Sequence, residues 1–522
     1  MDVPRRRLGA REVWWIALIA IVIGGALLRL KGIHSPLLDH PGWRQGDTAA
    51  IARNFATLQY NIFYPQTDYN GPPPNYVELE LQIVPFLAAT LYKIFGIHEI
   101  FGRLISICFS LGTIVVVGFF ARWLFGSMIA GLAASTIFAV LPGSMYYAHS
   151  FMPDTTMVFF LTAAVYACTR YLYDEDERSW HGLPLAAILL MFAFLAKPVA
   201  LVAIFPIAAA SIVRFGVLGT LRRPQTYALL AIAFVPLALY GQFVSSHAEW
   251  HWASGITQKH VIPGLRSALS SGSAFALKFT YLKLAIGMLW HIMLGPIGFI
   301  LLLVGLIVPL RARAAAIVYA WLGGALLYIY AVVTVERVDY YMYLVLPLAA
   351  LAAAGAVVRI WERIEPLPWG RVGIAVAAVV LLAMTYSGRK AIAPYYAYSK
   401  ANYANAKALD ASLPPGALIV MGHYDPSILY YINRKGWEED PYLWTPFDEQ
   451  SAIRKGALAF VAIEKNRLKR NVELYAWLAR FPVDETKRWP VYQTDTAKIL
   501  PGAEERWQEF RRKEKAGLLE SH

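Results

Sequence analysis

The chain is short of charge. Asp, Glu, Lys and Arg make up 16% of its 522 residues, against roughly 25% in soluble domains. That shortage excludes a soluble cytoplasmic enzyme. It also excludes a disordered chain, which needs a polar, charged composition. Cysteine is scarce as well: Cys108 and Cys168 are the only two, both inside apolar runs. There is therefore no disulfide framework and no CxxC metal pair, and each thiol reads as a small hydrophobe. Internal repeats, low-complexity tracts and basic–aromatic nucleic-acid motifs are absent too. In their place stand 57% hydrophobic residues and a mean hydropathy of +0.45. The composition is that of a mainly α, polytopic membrane protein with soluble mass attached.

A bilayer span needs about 20 mostly apolar residues. Runs of this kind cover 13–31, 104–121, 128–147, 155–173, 183–196, 198–213, 226–245, 285–310, 314–334, 341–358 and 372–387, which predicts about eleven transmembrane helices. The stretch 183–213 divides at Lys197-Pro198, because proline breaks the helical hydrogen-bond ladder and a charge does not belong at mid-membrane. Segment 79–95 is apolar enough to count as a further span, but it carries Glu80, Gln82, Pro85 and Lys93. The distribution of basic residues decides the matter, because those of short loops stay in the cytoplasm. With 79–95 lying on the outer surface, the arginine clusters all fall on one side: Arg5-Arg6-Arg7 with Arg11, Arg122, the stretch 170–178, Arg214 with Arg222-Arg223, Arg311 with Arg313, and Arg359, Arg363 and Arg371. The first apolar run has no small-residue cleavage site after it and is followed directly by Arg29 and Lys31. It reads as an uncleaved span with a cytoplasmic N-terminus.

This topology predicts a transmembrane domain over 1–387 and a large first external loop, 32–102, with interfacial helices near 47–58 and 79–95. From 388 to 522 the apolar runs stop and charges become frequent. A soluble α/β domain on the external face is expected there, with strands at 417–421 and 457–463 and a helix begun by Asp425-Pro426 as cap and first residue.

Polar residues gather on that external face. The first loop reads Asp39-His40-Pro41-Gly42-Trp43-Arg44-Gln45-Gly46-Asp47. Asp47 can serve as a helix cap, but two carboxylates, a histidine and an arginine within nine residues beside a membrane suggest more. Asp154, after Pro153, begins the fourth span and faces the same side. Lys197, at the break between two apolar runs, either snorkels or binds an anion at the membrane interface. Arg337, in Glu336-Arg337-Val338-Asp339-Tyr340-Tyr341, can offer forked donors to phosphate. Tyr340 and Tyr341 fit an interfacial aromatic belt as well as a ligand contact. Glu78 and Glu80 are two residues apart, so at most one faces a site. Carboxylates suit deprotonation of a hydroxyl or binding of a divalent metal, and cations suit a phosphate leaving group.

The order of several motifs resembles the GT-C superfamily of polyprenyl-phosphate-sugar-dependent glycosyltransferases, in particular the protein O-mannosyltransferases and the bacterial aminoarabinose–lipid A transferases (glycosyltransferase family 39). These motifs are Ala49-Ala50-Ile51-Ala52-Arg53, Leu124-Phe125-Gly126, Pro153-Asp154, Ala196-Lys197-Pro198 and Tyr340-Tyr341-Met342-Tyr343-Leu344, over about 1–390, with Tyr430-Tyr431-Ile432-Asn433-Arg434-Lys435-Gly436-Trp437 in the tail. The resemblance implies a GT-C fold in a bacterial inner membrane. It implies a polyprenyl-phosphate-linked sugar as donor, a glycan, lipid or protein as acceptor, and inverting direct displacement on the periplasmic face. It also implies an external-loop carboxylate as base and a role for Asp154. Relatives carry an adjacent acidic pair at the head of the first interfacial helix, where this chain has Arg44-Gln45. The base is therefore expected to be Asp47, with Asp39 as second candidate. Arg44, Lys197 and Arg337 are expected to meet the donor phosphate, and His40, Gln45, Glu80, Tyr340 and Tyr341 to line the pocket. Asp39, His40, Asp47 and Asp154 offer ligands to a divalent metal, although their spacing is no metal signature. The alternative reading is a transporter or flippase of lipid-linked saccharides. Such proteins tend to show inverted repeats and midplane charge, and this sequence shows neither.

Overall fold

A computed structural model describes residues 9–174, 179–270, 272–367 and 370–516. Arg5, Arg6, Arg7 and Arg178 of the topology argument lie outside them. The molecule is mostly helical. In chain order, α1 (Ala10–Arg29), α2 (Gly42–Thr57), α3 (Ile83–Phe95), α4 (Ile100–Phe125), α5 (Met128–Val140), α6 (Pro142–Tyr147), α7 (Asp154–Asp174), α8 (Leu183–Ala196), α9 (Ile204–Arg222) and α10 (Pro224–His247) build the first half.

Seven helical stretches among the described residues are long and apolar enough to cross a bilayer: Ala10–Arg29, Ile100–Phe125, Pro198–Arg222, Pro224–His247, Ala312–Glu336, Asp339–Ile364 and Val372–Ala391. Helices α3, α5 and α8 are apolar but have only 13 or 14 residues. At 1.5 Å per residue each extends about 20 Å, less than the roughly 30 Å hydrocarbon core. The expected straight span over 285–310 is instead broken, with Lys278–Met293 and Gly295–Ile307 meeting at 112°. The cause is local. Gly295 has a positive φ of 67° and Pro296 opens the second helix, a combination that ends one helix and begins another. The break expected at Lys197-Pro198 is present: α8 stops at Ala196, Lys197 is extended, and Pro198 starts a 3-10 turn.

Helix α2 starts earlier than expected. It begins at Gly42 rather than near Asp47, so Asp47 is an interior helical residue and not a cap. Two short strands, β1 (Val77–Glu78) and β2 (Trp250–His251), pair in parallel and join the first loop to the segment that follows α10.

The tail forms a five-stranded sheet from β3 (Leu418–Met421), β4 (Lys435–Glu438), β5 (Ala457–Val461), β6 (Val483–Asp484) and β7 (Val491–Tyr492), in the order β4-β3-β5-β7-β6. Strands β4, β3 and β5 are mutually parallel, and β7 runs antiparallel to β5. Alternation along β3 separates the two faces. Ile419 and Met421 pack with Leu429 and Ile432 of helix Pro426–Ile432. Val420 packs with Ala452, Leu468 and Trp477 from the helices on the other face.

The tail is seated on α2. A Cβ at Gly46 would come 2.4 Å from the Ser427 Cα, so only glycine admits this approach. The buried Asp68 carboxylate meets Arg53 of α2, the Asn54 amide and Lys435 of β4, and Gly71 donates to the Gly436 carbonyl at 2.7 Å. Asp425 caps its helix by accepting from the Ser427 amide at 2.9 Å. Arg434 and Lys435 are tied inward. Arg434 is buried against Asp410 and the Leu413 carbonyl, and Lys435 reaches Asp68.

Gly46→Ala is expected to destabilise this seat by about 1–3 kcal/mol, the usual cost of overpacking. Thermal unfolding should show a lower transition for Gly46→Ala than for Gly24→Ala, a control position with nothing within 4 Å of the added Cβ.

Candidate active site

The first loop, α2, β1, the Lys197 break and the 338–341 turn surround a cavity of about 260 Å³. It takes Trp43, Arg44 and Asp47 from successive turns of α2, Tyr69 and Glu80 from the first loop, Lys197 from the break, and Tyr340 and Tyr341 from the turn. Trp252, Ala253, Ile256 and His260 close it from the side of the segment after α10.

Two ion pairs set its electrostatics. Arg44 donates to Glu80 at 2.5 Å, and Lys197 donates to Asp154 at 2.7 Å. All four side chains are at least 90% buried. The Lys197 ammonium also lies 4.7 Å from the Tyr341 ring centre and 5.3 Å from that of Tyr340, a geometry in which ring quadrupoles hold a cation. Each cation keeps free donors, since an ammonium has three and a guanidinium five.

Asp47 differs from its neighbours. It is buried, and its Oδ1 has no hydrogen-bond partner. Burial pushes its pKa up to about 7, while Arg44 and the Tyr69 hydroxyl pull it down and Asp425 and Asp68 push it further up. A carboxylate poised near neutrality and lining a cavity suits general-base work.

Six of the residues expected at the site line the cavity: Arg44, Asp47, Glu80, Lys197, Tyr340 and Tyr341. Asp154 stands behind, holding Lys197. Four others do not line it. Asp39 is wholly buried in a separate network, where it accepts from Arg103 at 2.9 Å and from Gln45 at 2.8 Å and lies 3.3 Å from the His149 ring. Burial alone would raise its pKa; Arg103 and His149 outweigh that and hold it below the usual carboxylate range. An inaccessible carboxylate with its oxygens taken up cannot accept a proton from a substrate, which corrects the reading of Asp39 as second candidate base. Gln45 belongs to the same network and accepts from the Phe151 amide, so it does not touch the pocket. His40 pairs with Asp339 at 3.1 Å, and Asp339 also accepts from the Tyr395 hydroxyl. Arg337 turns away and donates to the Tyr281 hydroxyl at 3.3 Å; its backbone is left-handed, with φ 55°.

The sequence reading missed Tyr69, Trp252 and the pair His260–Glu336, 2.9 Å apart, all of which line the cavity. No local pattern marks them; the β1–β2 pairing and the Ser254 hydrogen bonds to Glu78 bring the distant segment over the first loop. Among the described residues no group of three or more His, Cys, Asp or Glu is arranged to hold a metal ion.

Residues 82–240 match the family described as dolichyl-phosphate-mannose-protein mannosyltransferase, a segment that contains Asp154 and Lys197. No curated protein matches the chain in sequence. Among solved structures, the chain resembles the crystal structure of ArnT from Cupriavidus metallidurans bound to undecaprenyl phosphate, at 14% identity and TM-score 0.64, over 94% of this chain and all of that one. The apo state of the same enzyme gives 15% identity and TM-score 0.58 over the same shares. The chain thus shares the fold of the ArnT structures, and its segment 82–240 matches a family of sugar transferases. The resemblance drawn from the sequence is borne out, and the transporter alternative is set aside.

Truncating Arg103 tests the separate role of the Asp39 network. Arg103→Met takes the guanidinium from a buried carboxylate, at an expected cost of about 3–5 kcal/mol. Adding Asp39→Asn should recover part of the lost thermal stability, because the stranded charge is then gone.

Proposed function

We propose that the protein transfers a sugar from a polyprenyl-phosphate donor to a hydroxyl of a glycan, lipid or protein acceptor on the periplasmic face of a bacterial inner membrane. The observation that carries this reading is the cavity, which places a carboxylate without a cation partner alongside two cations, Arg44 and Lys197, already held by their own carboxylates. The bound undecaprenyl phosphate of the similarly folded ArnT structure supports the donor class.

In this reaction the acceptor oxygen attacks the anomeric carbon and its proton passes to Asp47. The bond from the anomeric carbon to the phosphate oxygen breaks, and its electron pair leaves with the polyprenyl phosphate. Arg44 and Lys197 neutralise that phosphate, and charge stabilisation of a leaving group is a large term in a water-poor site. Direct displacement inverts the anomeric configuration. Asp154 acts through Lys197 by fixing its position. In the topology proposed here the chain crosses the membrane eleven times, with the N-terminus in the cytoplasm, α2 and α3 in the outer interface, and 388–522 as a periplasmic domain.

Purified protein in lipid, given radiolabelled polyprenyl-phosphate sugars and a membrane extract as acceptor source, tests the reading. Asp47→Asn should lower transfer by about 10²–10⁴-fold, the usual contribution of a general base. Label transfer undiminished in Asp47→Asn would remove Asp47 from this role.

The pH profile has a definite sign. Asp47 must be ionised to accept a proton, so kcat/KM should fall about tenfold per pH unit below about 7 and level off above it, following the raised pKa. A profile flat down to pH 5 would mean that a more acidic group is the base.

A further inference from the structure

An open crevice lies in the tail, with a lining that shares no residue with the candidate active-site cavity. It has a volume of about 680 Å³ and is lined by residues 463–467 and 487–489. Its place in the sheet is informative. The chain leaves β3, returns as β4 on one side, and then crosses to β5 on the other side of β3. The connection after β3 runs to the face carrying Pro426–Ile432, and the one after β5 runs to the opposite face. The carboxyl ends of β3 and β5 therefore form a topological switch point, where open α/β sheets bind their ligands. The crevice adjoins that point on its β7 side, between the 463–467 loop that leaves β5 and the 487–489 segment that enters β7.

The rim is held in place by backbone bonds. Gly422 donates to Val461, Glu464 to Gly422, and Ala462 to Pro490, at 2.9, 3.3 and 2.9 Å. Its charge is one-sided. Glu464 is taken up by Arg467 at 3.2 Å and by His423 at 3.3 Å, and Arg467 also pairs with Asp440. Lys487 feels the Asp484 carboxylate, which itself accepts from Thr486. Lys465 and Arg488, both exposed, have no ion pair or hydrogen bond among the described residues. Asn466 and Trp489 complete the lining. A polar crevice with an excess of cations and its one lining carboxylate neutralised is suited to an anion.

We propose that this crevice is a second binding site, for a phosphate-bearing molecule such as a sugar phosphate or a lipid headgroup, held by Lys465, Lys487 and Arg488. The site stands apart from the catalytic cavity and does not depend on the transfer reaction.

The test is isothermal titration of the full-length protein in phosphatidylcholine nanodiscs with glucose 1-phosphate, a monoester, and with glycerophosphoglycerol, a phosphodiester headgroup. Glucose serves as the uncharged control. The comparison is with the double variant Lys465→Glu/Arg488→Glu. Both side chains are exposed, so the fold should be kept, and an unchanged unfolding transition would verify it. The expected result is saturable binding of at least one phosphate ligand, weakened at least tenfold in the double variant and by added salt, with no binding of glucose. The tighter of the two ligands identifies the source of the phosphate. Superimposable isotherms for the two proteins, or equal binding of glucose, would overturn the proposal. Because neither ligand is a lipid-linked donor, loss of transfer in the assay of the preceding section would leave this result standing, and the reverse holds too.

Discussion

The arrangement of the site rests on one buried carboxylate. Asp39 has no solvent exposure, and its oxygens are divided among Arg103 of α4, Gln45 of α2 and the His149 ring. Gln45 passes the connection on, since its carbonyl oxygen accepts from the Phe151 amide. The start of α2 and the turn that leads into Asp154 thus share one anchor. Asp47 lies two residues beyond Gln45 on the same helix, and Lys197 is positioned by Asp154, so Asp47 and Lys197 take their relative positions from Asp39. A buried ion pair of this kind adds little net stability over a well-packed apolar substitute. Its value here is directional, because hydrogen bonds to a carboxylate fix orientation in a way that apolar contact does not.

Helix α2 bears constraints from two sides. Toward the membrane body it presents Arg44 and Asp47 to the cavity. Toward the tail it presents Gly46 to the Ser427 backbone and Arg53 to Asp68. An α-helix places successive residues 100° apart, so a short sequence can serve both sides at once. This explains why nearly every residue from Arg44 to Phe55 is buried although the segment is not strongly apolar. The tail is consequently a wall of the site region, and the Asp425 charge is felt at Asp47.

Much of this was legible in the sequence, and for physical reasons. Proline and charge together mark a helix break wherever they fall, so Lys197-Pro198 was found. The runs 417–421 and 457–463, with Asp425-Pro426 between them, carry local signals of strand and capped helix, and the structure has elements there. The gathering of Arg44, Asp47, Glu80, Lys197, Tyr340 and Tyr341 in one cavity was expected from the external-loop reading and the family resemblance together. What failed depended on tertiary contact. Asp39 and Asp47 look alike in a nine-residue window, and distant partners, Arg103 64 positions away and His149 110 positions away, separate a structural carboxylate from an available one. Arg337 has the right chemistry and the right face, but its left-handed backbone turns it toward Tyr281. The bend at Gly295 lies inside a run whose mean hydropathy is that of a single span.

The three carboxylates of the region show how environment assigns role to identical groups. Asp39 is surrounded by donors and is held ionised and inert. Asp154 shares its charge with Lys197, so its effect is exerted through that ammonium. Asp47 has Arg44 nearby but no cation bonded to it, one oxygen without a partner, and two further acids, Asp425 and Asp68, adding to its burial. A base must be basic enough to take a proton yet ionised enough to be available, and those demands meet where the pKa approaches the working pH. Moving Arg44 onto Asp47 would make the carboxylate a weaker base. Glu80 prevents this by engaging Arg44 at 2.5 Å. The Arg44–Glu80 pair therefore does two things at once: it keeps a cation in the cavity, and it keeps that cation off the Asp47 carboxylate.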